Sequence, residues 1–269
     1  MGTFAAQVLK GKTAFIAGGS SGINLGIAYG LAEAGASVAL ISRNPQKVEA
    51  AVAGLRAAGH EASGAAVDVR DYPGVEQALR EIHAARGPID IVISGAAGNF
   101  LAPAIGMSAN AFKTVVDIDL MGTFHVLRAS YEFLRKPGAS IISITAGQAV
   151  NPTMFQSHVC AAKAGINMLT RCLAIEWGPV GVRVNGISPG PIRDTEGMAR
   201  LTPTPESEAA LKRVIPLGDY GEKRDIADLA VYLCSDSARY ITGAIFDCDG
   251  GFALAGSGAI APATIPART

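Results

Sequence analysis

The sequence has little that would favour a membrane, secreted or nucleic-acid-binding protein. None of its apolar runs reaches about 18 residues, the length needed to cross a bilayer, and its first twelve residues lack the apolar core of a signal peptide. Its 23 basic residues balance 23 acidic ones, which disfavours a general binder of nucleic acid or of membrane surfaces. We therefore expect a cytoplasmic protein.

The chain is also poor in cysteine. Its four cysteines form no CxxC pair, so the spacing indicates neither a disulfide framework nor a metal site, and each is expected to be a reduced buried thiol. Apolar residues, by contrast, make up 49% of the chain, and glycine occurs 32 times. This composition supports a sizeable α/β core with tight turns.

Short apolar runs alternate with segments of helical character. The expected strands are residues 12–17, 37–41, 62–67, 89–94, 140–144, 182–187 and 244–247. The expected helices are residues 25–34, 45–58, 72–85, 108–135, 157–177 and 225–235. This alternation predicts a single Rossmann-type, doubly wound α/β domain spanning residues 1–269, with helices on both faces of a parallel sheet.

Two stretches fall outside this alternation. Residues 193–220 contain three prolines and many polar residues, and they are long enough to form a mobile lid over a substrate site. Residues 254–269 are rich in small residues and proline, and we expect an irregular surface tail there.

The first expected strand leads into a glycine-rich turn with the sequence Gly18-Gly19-Ser20-Ser21-Gly22-Ile23. Glycines at such a turn let the backbone approach a pyrophosphate, and the following helix N-terminus attracts an anion. A purely structural turn could share this composition, but its place between a strand and a helix favours a dinucleotide site. The third glycine position of the usual spacing holds Asn24.

The end of the second strand bears on the choice of cofactor. An acid at this place binds ribose hydroxyls, whereas an arginine accepts a 2′-phosphate. The chain has Arg43 and Asn44 here, followed by Lys47, and no acid before Glu49. Arg43 could be an ordinary surface residue, but beside the glycine-rich turn it favours NADPH over NADH.

The ends of the other strands provide further candidates. Asp68 closes the third strand and could accept hydrogen bonds from an adenine amine, or simply serve as a loop or capping residue. Small residues around Ala97 leave room for a ribose after the fourth strand. Residues 189–192 and Thr195 could present backbone groups to a nicotinamide carboxamide after the sixth. In doubly wound folds, all these strand ends meet at the edge that binds ligands.

Together, these motifs resemble the short-chain dehydrogenase/reductase family over residues 12–251. The usual catalytic set of that family is a serine, a tyrosine, a lysine four residues after the tyrosine, and an asparagine three residues before a glycine. Only the lysine is matched here, and the four positions hold Ala146 (with Thr145 beside it), Val159, Lys163 and Asp119. Ordinary alcohol–ketone chemistry is therefore not what this set indicates.

A finer resemblance is to the 2,4-dienoyl-CoA reductases, especially the peroxisomal kind. It is carried by residues 98–101, 110–115, 117–119, 189–192 and 195–197, and by a histidine, His158, five residues before the lysine. The mitochondrial kind has a tyrosine where this chain has Gln148. The resemblance implies an acyl-CoA substrate, NADPH and a homotetramer. The chain ends in Ala267-Arg268-Thr269, which is not a peroxisomal address.

The resemblance also implies roles for individual residues. Asp119 and Lys163 would be catalytic, with Asp119 alternatively a carboxylate that merely pairs with a base inside a helix. The expected cofactor contacts are Gly18, Gly19, Ser20, Ser21, Gly22, Ile23, Arg43, Asn44, Lys47, Asp68, Val69, Ala97, Lys163, Pro189, Gly190, Ile192 and Thr195. The expected substrate contacts are Arg70, Phe100, Ser108, Asn110, His158 and Arg200. His158 could instead only pack at the start of its helix.

Three other functions stay open at this point. The first is an enoyl-CoA or enoyl-thioester reductase. The second is a ketone or alcohol dehydrogenase that recruits a substitute acid such as Tyr220 or His158. The third is a catalytically silent NADP-binding sensor or partner subunit, which the loss of serine and tyrosine would also produce.

Overall fold

A computed structural model describes residues 7–254, and the strands in this range form one parallel seven-stranded sheet. The strands are β1 (Thr13–Ala17), β2 (Ser37–Ser42), β3 (Ala62–Ala66), β4 (Ile91–Ser94), β5 (Ser140–Ile144), β6 (Arg183–Pro189) and β7 (Ile245–Cys248). Their order is β3-β2-β1-β4-β5-β6-β7, so the direction of winding reverses between β1 and β4. This doubly wound topology confirms the predicted fold class and places the switch point beside the glycine-rich turn.

Helices connect the strands. They are α1 (Gly22–Glu33), α2 (Pro45–Ala57), α3 (Tyr72–Arg86), α4 (Ala109–Val116), α5 (Gly122–Ser130), α6 (Ser157–Trp177), α7 (Glu196–Leu201), α8 (Pro205–Val214) and α9 (Lys223–Cys234). The first helix begins at Gly22, three residues before the predicted start, so the end of the glycine-rich turn is already its first helical turn.

The strands are short apolar runs because helices cover both faces of the sheet. Every residue of β1, β4 and β5 is buried. One face packs against α1, α2 and α9, and the other against α3, α5 and α6. Because helices cover both faces, a ligand can reach the sheet only at the ends of the strands.

The predicted long helix over residues 108–135 is not one regular α-helix. Between α4 and α5 the chain forms a π-helical turn over Asp117–Met121, and a short 3₁₀ segment over Tyr131–Phe133 follows α5. A π turn adds a residue to the helical repeat and so shifts the direction of the side chains around it. Asp119 lies at the centre of this π turn.

Residues 193–220 are more regular than predicted. The Thr195 side chain accepts a hydrogen bond from the Met198 N–H at the start of α7, and Thr204 and Ser207 form a capping box at the start of α8. Pro205 occupies the first turn of α8, where proline is tolerated because that turn needs no N–H donor. The expectation of irregular structure is therefore corrected to two short helices. Residues 255–269 of the predicted tail lie outside the described range.

Candidate functional site

A cleft of about 490 Å³ opens at the carboxyl ends of the strands. Twelve of the expected cofactor residues line it: Gly18, Ser20, Ser21, Gly22, Ile23, Arg43, Asn44, Lys47, Asp68, Val69, Ala97 and Thr195. Asn24, Gly95, Ile118, Ile144, Glu196 and Gly197 line it as well. The fold thus brings the ends of β1 to β5 and the start of α7 around one cleft.

The glycine-rich turn is shaped to admit an anion. Gly18 and Gly22 have φ values of +76° and +58°, a region that favours glycine. A Cβ on Gly18 would lie 2.8 Å from the backbone of Ala96, so the turn also needs a glycine for close approach. Ser21 precedes α1 without capping it through its side chain, which leaves the first N–H groups of the helix available. These donors suit the pyrophosphate of a dinucleotide.

Asn24 is a feature of the cleft whose role was not predicted. Its side-chain amide donates to the carbonyl oxygens of Gly18 (3.3 Å) and Gly95 (2.7 Å), joining the end of β1 to the end of β4. A Cβ on Gly95 would collide with this amide. The departure from the usual third glycine was visible in the sequence, but only the fold shows the glycine that makes room for it.

The three polar residues after β2 that were expected to bind the cofactor differ in their availability. Arg43 and Lys47 line the cleft. The Asn44 side chain accepts a hydrogen bond from the Lys47 N–H (2.9 Å) and so caps α2. Asn44 therefore positions the turn that carries Arg43, and its own oxygen is already engaged.

Two residues expected to bind different ligands are joined to each other. The Arg70 side chain donates to both carboxylate oxygens of Asp68, at 3.0 and 2.6 Å, and the Arg70 N–H adds a third bond at 2.9 Å. This hydrogen-bonded guanidinium holds the pKa of Asp68 below its ordinary value. These bonds hold Asp68, the predicted adenine contact, next to Arg70, the predicted CoA contact.

Asp119 and Lys163 form a buried ion pair. Their side chains are 0% and 7% exposed, and the Lys163 Nζ lies 3.3 Å from Asp119 Oδ2. Lys163 also donates to the Ile144 carbonyl (3.1 Å), and the Gly98 N–H donates to Asp119 Oδ1 (2.7 Å). Asp119 Oδ2 has no hydrogen bond of ordinary geometry within residues 7–254, so it retains capacity to accept one. The sequence placed these two residues in separate helices, and the π turn brings their charged groups together.

The positions of the usual serine and tyrosine are occupied in other ways. Val159 is 3% exposed and packs with Val115 and Ala162 in a small apolar cluster. Ala146 carries no polar side-chain atom, and the hydroxyl of neighbouring Thr145 donates to the Lys163 carbonyl (3.5 Å). Thr145 therefore holds the backbone of Lys163, and Asp119 holds its ammonium group, in place of contacts with a serine and a tyrosine.

His158 lies under Phe100. The two rings are 4.3 Å apart at 35°, and the His158 side chain is fully buried. Burial lowers the pKa of His158 below its ordinary value, opposed by the Phe100 backbone and by the charge of Asp119. Neither ring nitrogen has a hydrogen-bond partner of ordinary geometry among the described residues. A neutral imidazole held in this way has a donor to offer a ligand.

The remaining expected substrate residues, Ser108, Asn110 and Arg200, are not among the residues that line the cleft. Ser108 caps α4 by accepting from the Ala111 N–H (3.1 Å), and Asn110 is exposed in the first turn of that helix. Arg200 of α7 pairs with Glu196 and donates to the Asn99 carbonyl (3.4 Å).

Of the expected carboxamide contacts, Thr195 lines the cleft, but Pro189, Gly190 and Ile192 do not. Pro189 ends β6, Gly190 donates from its N–H to the Cys248 carbonyl, and Ile192 is buried in the core. Gly19, also expected as a cofactor contact, packs toward Leu40 and Ile16 rather than toward the cleft. For these four residues the structure shows scaffolding contacts.

No group of three metal-binding side chains occurs among residues 7–254, and no helix in that range is long and apolar enough to cross a membrane.

The fold and this cleft define a dinucleotide-dependent α/β oxidoreductase. The model of the family described as enoyl-(acyl carrier protein) reductase matches residues 17–253, and the chain belongs to this family of short-chain dehydrogenases/reductases. The peroxisomal 2,4-dienoyl-CoA reductase [(3E)-enoyl-CoA-producing] of Arabidopsis thaliana is 41% identical, with 93% of this chain and 87% of the relative covered. The protein of the same name from Rattus norvegicus is 43% identical, with 92% and 86% covered.

Among solved structures, a gluconate 5-dehydrogenase from Burkholderia cenocepacia, in complex with NADP and tartrate, superimposes with a TM-score of 0.87. It is 28% identical, and the match covers 93% of this chain and 98% of that one. This solved structure agrees with the fold described above, and the two sequence relatives carry the name 2,4-dienoyl-CoA reductase.

Proposed function

We propose that the protein catalyses NADPH-dependent reduction of a conjugated C=C bond in an acyl-CoA thioester, as a 2,4-dienoyl-CoA reductase does. The buried Asp119–Lys163 pair, with Val159 in the place of a tyrosine, carries this proposal. The names of the relatives at 41–43% identity support it.

The chemistry explains why a phenol can be absent. A reduced ketone is an alkoxide that needs a proton at once, and a positioned general acid contributes roughly 10²–10⁴-fold. Bound NADPH supplies the hydride. In a conjugated thioester, hydride at the far carbon of the diene spreads negative charge back to the thioester oxygen, which needs hydrogen-bond donors more than a full proton. Each such donor is worth about 3–4 kcal/mol.

We assign the donors and the proton path to three buried residues. The unpaired N–H of neutral His158 donates to the thioester oxygen, and Lys163 adds positive charge and holds the ribose hydroxyls of the cofactor. Asp119 Oδ2, with Lys163, orients a water molecule that delivers a proton to carbon. Protonation next to the thioester carbonyl leaves the remaining double bond at position 3, as in the names of the two relatives.

The other expected contacts complete the proposed site. The cleft residues at the glycine-rich turn, Arg43 and Thr195 hold the cofactor, and Arg70, Ser108, Asn110 and Arg200 hold the CoA portion. Arginines suit its phosphates because they bind them with two parallel hydrogen bonds. The segment 193–220, now α7 and α8, serves as the lid of one single domain, since Thr195, Glu196 and Gly197 already line the cleft.

Oxidation of NADPH with dienoyl-, enoyl- and ketoacyl-CoA, measured side by side, tests the function. We expect turnover with the dienoyl-CoA to exceed the others by at least about tenfold. The hydride-accepting carbon lies two carbons farther from the thioester oxygen in a dienoyl-CoA than in an enoyl-CoA, so one arrangement of cofactor and oxyanion donors suits only one of them. The alkoxide formed from a ketoacyl-CoA would lack its proton donor. Preference for the enoyl-CoA or the ketoacyl-CoA would replace the proposal by one of the other reductase functions. NADPH binding without turnover of any of the three would indicate a silent sensor or partner subunit.

The choice of NADPH rests on Arg43. We expect Arg43→Ala to raise KM for NADPH at least about tenfold and to leave KM for NADH nearly unchanged, because only NADPH carries the phosphate that a charged donor can bind. Arg80→Ala, which removes an exposed arginine of α3 paired with Glu76, is the matched control. Equal effects of Arg43→Ala on the two cofactors would contradict the assignment.

We also propose a cytoplasmic homotetramer. Four apolar side chains on the outer faces of the π turn, α5 and α6 are 39–79% exposed: Met121, Phe124, Met168 and Ile175. Such a face is suited to association between subunits. Light scattering that gives the mass of a single 27.5 kDa chain would contradict the assembly, and cell fractionation tests the location, which differs from that in the names of the peroxisomal relatives.

A further inference from the structure

Three consecutive residues, 98–100, contact several parts of the proposed site. The Gly98 N–H donates to the buried carboxylate of Asp119, and the Phe100 ring covers His158. Between them, the Asn99 carbonyl accepts a hydrogen bond from the Arg200 side chain of α7. We call residues 98–100 the bridging loop. The bridging loop therefore contacts both Asp119 and His158.

One buried side chain fixes the middle of the bridging loop. Gln156 directly precedes α6 and is 1% exposed. Its Nε2 donates to Asn99 Oδ1 (3.1 Å), and its Oε1 accepts from Gln148 Nε2 (3.0 Å). It makes no side-chain cap of α6. A buried amide is stable only when its polar atoms are paired, so Gln156 holds Asn99 in one place.

We propose that Gln156 is a positioning residue for the reaction, acting through Asn99 to hold the bridging loop against Asp119 and His158. The proposal rests on the function proposed above and extends it beyond the residues that touch substrate. Because Asn99 also contacts Arg200, the same bridge links α7 to the buried pair. Binding of an acyl-CoA under α7 and the orientation of Asp119 are therefore coupled through one loop.

The position of His158 gives a readout that does not need turnover. The ring of Phe100, a residue that is 38% exposed, packs against this fully buried histidine. Loss of the bridge lets Phe100 move away and admits water to the imidazole. Desolvation is the largest cause of the lowered pKa of His158, so hydration of the ring should raise this pKa toward its ordinary value. Loss of the Phe100 backbone contribution acts in the opposite direction but is the smaller effect. Asp119 is the charged group that also acts on His158.

The test compares Gln156→Met and Asn99→Leu with Asn99→Asp, which keeps the acceptor for Gln156. Gln77→Met is the matched control, because Gln77 makes an equivalent side-chain bond to Glu81 on the surface of α3. We expect kcat with a dienoyl-CoA to fall about 10–100-fold in Gln156→Met and Asn99→Leu, with the Kd for NADPH changed less than about twofold, because a small displacement of positioned groups is enough to lose such a factor. Asn99→Asp should recover most of this loss.

The second measurement is the NMR titration of His158, one of four histidines in the chain. We expect its pKa to rise in Gln156→Met and Asn99→Leu and to stay unchanged in Gln77→Met. An unchanged kcat together with an unchanged His158 titration in both variants overturns the proposal. If Gln156→Met fails to fold, Asn99→Leu decides alone, since Asn99 is exposed. If the parent protein does not reduce dienoyl-CoA, the proposed function fails, and the His158 titration still decides whether the bridge holds the loop.

Discussion

Asp119→Ala is expected to lower kcat for a dienoyl-CoA with NADPH by about 10²–10⁴-fold, the range lost when a group that positions a transferred proton is removed. Asp119 is fully buried, and its Oδ2 faces Lys163 without a hydrogen bond of ordinary geometry from the described part of the chain. That oxygen is the one available to orient water. Steady-state kinetics together with the Kd for NADPH measures the effect, and we expect the Kd to change far less than kcat.

Asp117→Ala is the matched control for this substitution. Asp117 lies two residues away in the same π turn, is partly exposed and pairs with Lys113 on the surface. We expect it to keep turnover within about twofold, because surface ion pairs contribute little. Asp119→Asn separates the two roles of the carboxylate, since it retains an acceptor for the Gly98 N–H but removes the charge. Turnover of Asp119→Ala within a factor of about two of the parent would remove Asp119 from the mechanism.

Lys163→Met is expected to have the largest effect on stability. Removing one member of a buried ion pair leaves the other charge without compensation, which typically lowers the free energy of unfolding by about 3–5 kcal/mol. Lys163 is buried, and its ammonium group contacts both Asp119 and the Ile144 carbonyl. We also expect weaker NADPH binding, because the ribose hydroxyls lose their donor. Urea denaturation, followed by the fluorescence of the single tryptophan, Trp177, measures the change.

A double variant distinguishes loss of the pair from loss of packing. In Lys163→Met/Asp119→Asn no uncompensated charge remains, so we expect more than half of the lost stability to return. Surface substitutions ordinarily change the free energy of unfolding by less than about 0.5 kcal/mol. If Lys163→Met changes it by no more than this, the ion pair does not stabilise the fold. Loss of stability without recovery in the double variant would assign the effect to the packing of the lysine stem.

The proposed mechanism and the stability of the site depend on the same two charges. Their separation of 3.3 Å is set by three elements: the π turn, the middle of α6 and the end of β4 through Gly98. A regular α-helix through residue 119 would direct its side chain elsewhere, which is why the π turn matters. The site therefore uses an irregularity of the helix to bring a carboxylate to a lysine that has no tyrosine beside it.

The sheet was predictable from the sequence because each strand is a short apolar run bounded by turn residues. Burial of the five central strands on both faces leaves no alternation to confuse such a run with an exposed strand, whereas the edge strands β3 and β7 are partly exposed. Each predicted strand is found within two residues of its predicted ends. The glycine-rich turn, Arg43 and Lys163 were recognisable for a related reason. Their chemistry is local, and their spacing along the chain is short.

Other features depended on contacts between distant parts of the chain. The prolines at residues 203, 205 and 216 predicted an irregular lid, but Pro205 begins α8 because capping by Thr204 and Ser207 decides the outcome there. Asp68 and Arg70 were assigned to different ligands, and only the folded backbone shows their direct bonds. Asn24 and Gly95 are 71 residues apart, yet the Asn24 amide bonds to the Gly95 carbonyl and occupies the space that a Cβ at residue 95 would need.

The sequence by itself determined the doubly wound fold, the dinucleotide cradle and the identity of the residues around Lys163. Apolar periodicity and turn chemistry are local properties, so they can be read without the fold. Only the tertiary structure decided that Asp119 reaches Lys163, that Phe100 covers His158 and that Gln156 holds Asn99. These contacts depend on where side chains point from a π turn, from a strand end and from a helix start. The residues that meet are far apart in the sequence, so their spacing does not predict the contacts.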